Sequence, residues 1–192
     1  MFFKCAPHAP ASEHGHSERV SNGNKHFTVD IHCHMHVPEA DAMLTDPSVA
    51  DQAKLYKEAN ELTGEINRAQ HQTILPKLTD PAVRIADMDA CGIDVQAVSP
   101  SPFHYNYQYA AEFARDTSKV VNDRIAEVVA SHPDRFVGLC TAPLQNAGMA
   151  VTELERCVKE HGMRGVEIST NVVGRDLTRA GLEKFFAKVE EL

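Results

Sequence analysis

No stretch of this 192-residue sequence is apolar for long enough to cross a bilayer. Its first residues hold no continuous hydrophobic region of the kind that directs secretion. No block of lysine or arginine occurs, and 19 basic against 27 acidic side chains leave a formal net charge of −8. Neither nucleic acid nor a membrane is therefore expected as a partner. The five cysteines, at 5, 33, 91, 140 and 157, form no C-x-x-C pair, and an odd count makes a poor disulfide framework. Three of them fall in apolar patterns, where a reduced cysteine acts as a small hydrophobe, and this points to the cytoplasm. No G-x-G-x-x-G follows any strand-like run, which lowers the dinucleotide-binding reading. At 43% hydrophobic and 24% charged residues, what remains is an ordinary globular chain of one-domain length.

What is abundant is histidine, 11 in all, and three stand in a row of alternate positions within "FTVDIHCHMHVPEA" (27–40). Phe27, Val29 and Ile31 alternate with Thr28 and Asp30, the pattern of a strand running into a loop. Residues i and i+2 of a strand point to one face, so His32 and His34 converge near its C-terminal end. Two neutral imidazoles at that spacing suit a borderline divalent metal such as zinc, the expected ion here, with manganese as the alternative. Pro38 closes the strand, which leaves His36 in a loop. The second H-x-H, His14 and His16, lies in a polar stretch with no strand around it and carries no such expectation.

Residues 1–26 read as a disordered polar tail, and 37–79 as an insertion of polar helix and loop. Beyond residue 80 the chain becomes regular. Asp80 and Pro81 start a helix that Gly92 stops. Residues 93–99 alternate as a strand, 107–131 repeat Val121, Ile125 and Val128 at helical spacing, and 136–142 form a third strand. A helix at 147–161, a strand at 165–170 and a helix carrying Leu182, Phe185, Phe186 and Val189 follow. This is α/β architecture with repeated βα units and a parallel sheet. His32, His34, Ser99 and Thr170–Asn171 all fall at strand C-termini, which favours the first half of a (β/α)8 TIM barrel over an open sheet.

The segments "VDIHCHMHVPE", "DPAVRIADMDACGIDVQAVSPSP", "VNDRIAEVVASHPDRFVGLCTAPLQ" and "ELERCVKEHGMRGVEIST" together resemble the amidohydrolase superfamily. They resemble in particular its decarboxylase branch, typified by aminocarboxymuconate-semialdehyde decarboxylase. The resemblance implies that residues 27–192 are the N-terminal portion of the barrel, truncated after about four βα units. It implies one divalent metal held through His32 and His34. The third histidine, the aspartate ligand and the catalytic histidine belong to later strands, so no catalytic residue beyond the metal ligands is expected in this chain. A fourth strand without lysine implies a mononuclear site. Glu167 on that strand is either a carboxylate ligand or an outer-face residue.

The implied reaction is loss of carbon dioxide, without an organic cofactor, from a small unsaturated or aromatic carboxylic acid, as in aromatic compound catabolism. The alternatives are a hydrolase or hydratase of the same superfamily and a non-catalytic barrel domain. Candidate substrate contacts are Gln72, Ser99, His104, Thr170 and Asn171. Gln72 falls where the branch carries a carboxylate-gripping arginine, and Arg68 is the nearby substitute. Glutamine cannot make the charged bidentate pair, so substrates with one fewer carboxylate, or a phenolic group in its place, are expected. His132 and His161 are expected at helix C-termini for electrostatic reasons. The full-length protein is expected to be a homodimer, and residues 1–192 alone to be inactive.

Overall fold

The computed structural model describes residues 27–45 and 61–192. The polar tail at 1–26 and part of the insertion lie outside these residues. Strand β1 (Val29–Met35) is followed by a short helix α1 (Pro38–Met43) and a long one, α2 (Glu61–Thr79). Helix α3 (Pro81–Cys91), strand β2 (Val95–Pro100), helix α4 (Ala111–Ser131) and strand β3 (Phe136–Cys140) come next. Helix α5 (Ala147–Lys159) and strand β4 (Gly165–Val166) precede a small hairpin, β5 (Asn171–Val172) with β6 (Arg175–Asp176). Helix α6 (Glu183–Glu191) is last. The four principal strands pair in parallel in the order β1-β2-β3-β4, as consecutive units of a barrel wall do.

Local chemistry accounts for the element ends. The Asp80 carboxylate accepts from the Ala82 N–H at 2.8 Å, Pro81 opens α3, and Gly92 closes it at φ 69°, a conformation that costs a side chain about 1 kcal/mol. The core lies between sheet and helices, where Val121, Ile125 and Val128 of α4 meet Val98, Phe136 and Cys140.

Several boundaries differ from the sequence expectation. Helix α4 starts at 111 rather than 107, because Asn106 adopts a left-handed φ of 52° and the Gln145 amide donates to the carbonyls of Asn106 and Tyr109. Strand β4 pairs over two residues only, since β3 offers no partner beyond Cys140. Residues 171–176 then fold back on themselves as the hairpin.

One buried polar network ties α4 and α5 to the end of β3. The Asn122 side chain accepts from the Thr141 N–H and donates to the Thr141 carbonyl, both at 2.9 Å. It also donates to Glu153 at 2.7 Å, and the Arg156 guanidinium compensates this buried carboxylate. Replacing Asn122 by Ala leaves Thr141 and Glu153 short of partners in a site closed to water. The variant should lose about 3 kcal/mol of stability, read as a lower urea midpoint with an unchanged slope. A loss below about 1 kcal/mol would show that this network does not pin the helices to the strand.

Candidate functional site

Strand β1 delivers its histidines at the C-terminal edge of the sheet. The β1–β2 register shifts between Asp30 and Cys33, so a bulge falls at Ile31–His32. A bulge re-aims side chains, and here the His32 N–H turns back onto the Asp30 carboxylate at 3.1 Å. The His32 and His34 rings still converge, with centroids 5.1 Å apart and planes at 89°.

His34 is the better held of the two. Its Nδ1 lies 3.0 Å from the Pro100 carbonyl oxygen and 3.1 Å from Ser99 Oγ. A carbonyl can only accept, so Nδ1 carries the proton and Nε2 keeps its lone pair. Ser99 donates its own hydroxyl hydrogen to the Cys33 carbonyl and presents Oγ to the imidazole. Glu167 Oε2 stands 3.6 Å from the same nitrogen, and Tyr105 donates to the other carboxylate oxygen. Glu167 thus faces the site, which settles the choice between inner and outer face. Burial, reinforced by the Glu167 carboxylate, pushes the Tyr105 phenol far up, so it stays a donor.

This donor set fits a divalent ion. One imidazole is oriented by a carbonyl and a hydroxyl on its far nitrogen, with a carboxylate 3.6 Å away, the usual support of a histidine ligand, and a second stands beside it. Cys33 lies between them but is no thiolate ligand, because burial and Asp30 push its thiol up to about 12.

Beneath the pair lies Arg84, which sequence reasoning missed. It is 6% exposed, donates to the His34 carbonyl at 2.6 Å and reaches Gln96 Oε1 at 3.1 Å. Gln96 in turn donates to Asp30. Burial pulls the guanidinium pKa down from its ordinary value while nearby acids oppose the fall. The fourth position of a helix opened by Asp-Pro was the available signal for an inward-facing arginine.

A cleft of about 250 Å³ opens beside the pair, walled by His71, Ile74, Lys77 and Leu78 of α2 together with Phe103. A second, of about 660 Å³, is lined by Asp41, Phe103, Tyr105, Tyr109, Ser169 and Asn171.

The expected substrate contacts divide. Asn171 lines the larger cleft, with its Oδ1 accepting from the Gly174 N–H. Thr170 is exposed and lines neither cleft. Gln72 is likewise exposed and lines neither: residues 71, 74 and 78 share the inner face of α2, and position 72 lies a quarter-turn away. Ser99 is buried behind His34, with its Oγ 3.1 Å from the imidazole Nδ1. His104 is fully buried, with its Nε2 3.2 Å from Asp41, so it is not a surface contact. His36 follows β1 as expected, yet it is buried, with Nε2 2.8 Å from the same Asp41. His132 and His161 do lie at the ends of α4 and α5. Cysteines 33, 91, 140 and 157 are all free. No helix among the described residues is long and apolar enough to cross a membrane.

A parallel β/α array with paired imidazoles at its C-terminal edge is the architecture of a barrel-type metal centre. Residues 29–192 match the family model described as amidohydrolase, and the chain belongs to the amidohydrolase family.

The 2-amino-3-carboxymuconate-6-semialdehyde decarboxylase of Dictyostelium discoideum is 36% identical over 113 residues, 59% of this chain and 32% of that protein. The gamma-resorcylate decarboxylase of a Polaromonas species is 36% identical over 86 residues, 45% of this chain and 26% of that protein. Among solved structures, a Polaromonas dihydroxybenzoic acid decarboxylase with bound manganese and 2-nitroresorcinol matches at TM-score 0.56 and 26% identity, over 73% of this chain and 37% of that one. The 5-carboxyvanillate decarboxylase of Sphingomonas paucimobilis matches at TM-score 0.70 and 21% identity, over 86% and 49%, a likeness of fold alone. The chain thus spans about a third or less of these curated relatives and under half of these solved ones.

Replacing Ser99 by Ala removes one partner of His34 Nδ1 and leaves Pro100 as the other. The affinity of the His32/His34 site for a divalent ion should fall about 10-fold, measured by metal titration, with little change in unfolding temperature. An unchanged affinity would show that the hydroxyl does not orient the ligand.

Proposed function

We propose that the whole protein is a metal-dependent carboxy-lyase that removes carbon dioxide from a small aromatic or unsaturated carboxylic acid. The observation that carries this reading is His34, its far nitrogen held by Pro100 and its near nitrogen left open beside His32. The family, the decarboxylases among its relatives and the manganese of the Polaromonas structure support it. His32 and His34 would hold one divalent ion, zinc or manganese. When bound, that ion supplies Lewis-acid polarisation of a substrate oxygen.

The chain's own residues do the positioning. Ser99, Pro100 and Glu167 keep the proton on His34 Nδ1. Arg84 fixes the backbone from which His34 projects. Phe103, which is 57% exposed and borders both clefts, offers a flat face to an aromatic ring. Asn171 and Ser169 supply polar groups to the larger cleft. Tyr105 stays protonated and holds Glu167. Of the cations on the smaller cleft, Arg84 is occupied by Gln96 and the His34 carbonyl, and Lys77 by Asp87. That arrangement suits a phenolic monocarboxylate better than a dicarboxylate. The buried free thiols of Cys33, Cys140 and Cys157 suit a reducing cytoplasm.

The test is release of carbon dioxide by the whole protein across a panel of acids. The panel runs from 2,6-dihydroxybenzoate and 5-carboxyvanillate to aminocarboxymuconate semialdehyde, alongside esters, lactones and amides. Phenolic monocarboxylates should react best, and His34→Ala should lower kcat/KM by about 100-fold or more. Metal-dependent hydrolysis with no decarboxylation would replace this reading by a hydrolase.

A further inference from the structure

The third histidine of the row has no part in the site described so far. Strand β1 ends at Met35, and the chain turns so that the His36 N–H bonds the Leu78 carbonyl at 2.9 Å. The His36 ring is thereby carried away from the His32/His34 edge and under α1. There it stacks on His104, with centroids 4.8 Å apart and planes at 30°. Both rings aim the same nitrogen at one carboxylate: His36 Nε2 lies 2.8 Å from Asp41 Oδ2, and His104 Nε2 lies 3.2 Å from Asp41 Oδ1. One ligand atom from each residue falls within a sphere of contact where all lie within 4.8 Å of one another. His71 meets the His36 ring edge-on at 5.2 Å.

We propose that His36, Asp41 and His104 form a second divalent transition-metal site, separate from the His32/His34 pair. An ion with bonds of about 2.1 Å spaces adjacent ligand atoms about 3.0 Å apart in octahedral geometry and slightly more in tetrahedral geometry. The two nitrogen–oxygen separations, one to each carboxylate oxygen, lie close to the octahedral spacing. Two imidazoles and one carboxylate are the donor set of borderline ions, which accept three protein ligands and keep open positions.

Burial supports the assignment. His104 is fully buried and His36 is 6% exposed, and the Nε2 atoms of both rings point at Asp41. Hydrogen bonds to one carboxylate are a weak return for burying two imidazoles that an apolar side chain could replace. Asp41 is half-exposed and borders the 660 Å³ cleft, so the open positions face solvent and give the ion a way in. With one carboxylate and two neutral rings, the occupied site keeps a net positive charge towards that cleft. It would take an anionic oxygen, carboxylate or phenolate, as its remaining ligand.

Cobalt(II), whose visible absorption reports coordination, is the probe. The whole protein is used with His8, His14, His16 and His26 replaced by Gln to silence the tail, and with His32→Ala and His34→Ala to remove the first site. That chain should still bind about one cobalt per molecule. Adding Asp41→Asn, or His104→Gln, should weaken binding by about 100-fold or more, whereas His132→Gln and His161→Gln should leave it unchanged. Circular dichroism checks the fold of each variant. Should the buried His104→Gln variant unfold, the half-exposed Asp41→Asn variant decides. Absence of bound cobalt in the background chain, or binding that survives Asp41→Asn, overturns the proposal and leaves a hydrogen-bonded carboxylate only.

Discussion

The parallel pairing of β1 with β2 is the constraint on which the site depends. Its register sets His34 opposite Ser99 and Met35 opposite Pro100. The hydroxyl and the carbonyl that hold His34 therefore come from β2, 65 and 66 residues further along the chain. A slip of one residue would turn every β2 side chain to the other face, and Ser99 would leave the imidazole. Arg84 secures the register from the helix side, since it bonds the His34 carbonyl on β1 and the Gln96 side chain on β2 at once. Burying a guanidinium is costly unless it is hydrogen-bonded, so a shifted register that removed its two partners would strand it as well as Ser99.

The same sheet edge separates two polar sites of different character. At His32 and His34 the bulge and the end of β1 leave the imidazoles half-buried or exposed, beside an open cleft. Two residues on, His36 passes into the interior, and α1 covers it with Ala40 in the core and Asp41 at the rim. A strand alternates its side chains only while it remains a strand. Once β1 stops, the third histidine of the row obeys the turn and the Leu78 contact instead.

Much of the fold was legible in the sequence because it is local. The Asp80-Pro81 start and Gly92 stop of α3, the repeat of Val121, Ile125 and Val128, and the alternation before His32 each follow from a few neighbouring residues. The errors came where a distant group intervenes. Gln145 reaches back to Asn106 and Tyr109 and delays α4, and the end of β3 shortens β4. Position along the chain picks out Gln72, whereas the helical turn of α2 puts His71 on the cleft and leaves Gln72 outside it. His104 reads from the sequence as a loop residue beside the site, but tertiary packing encloses it against His36.

By itself the sequence determined the parallel β/α pattern, the pair His32 and His34 at a strand end, and the family. Those are carried by periodicity and short motifs, which act over a few residues and survive without knowledge of the rest. Only the tertiary structure decided that Ser99 positions an imidazole, that Arg84 lies beneath the pair, that Glu167 faces inward and that His36 and His104 share Asp41. Each of these joins residues 50 or more apart in the chain, or turns on which face a bulge or chain turn presents. Hydrogen bonds and ligand geometry act over about 3 Å in space, and spacing along a sequence does not specify that distance until the sheet register and helix faces are set.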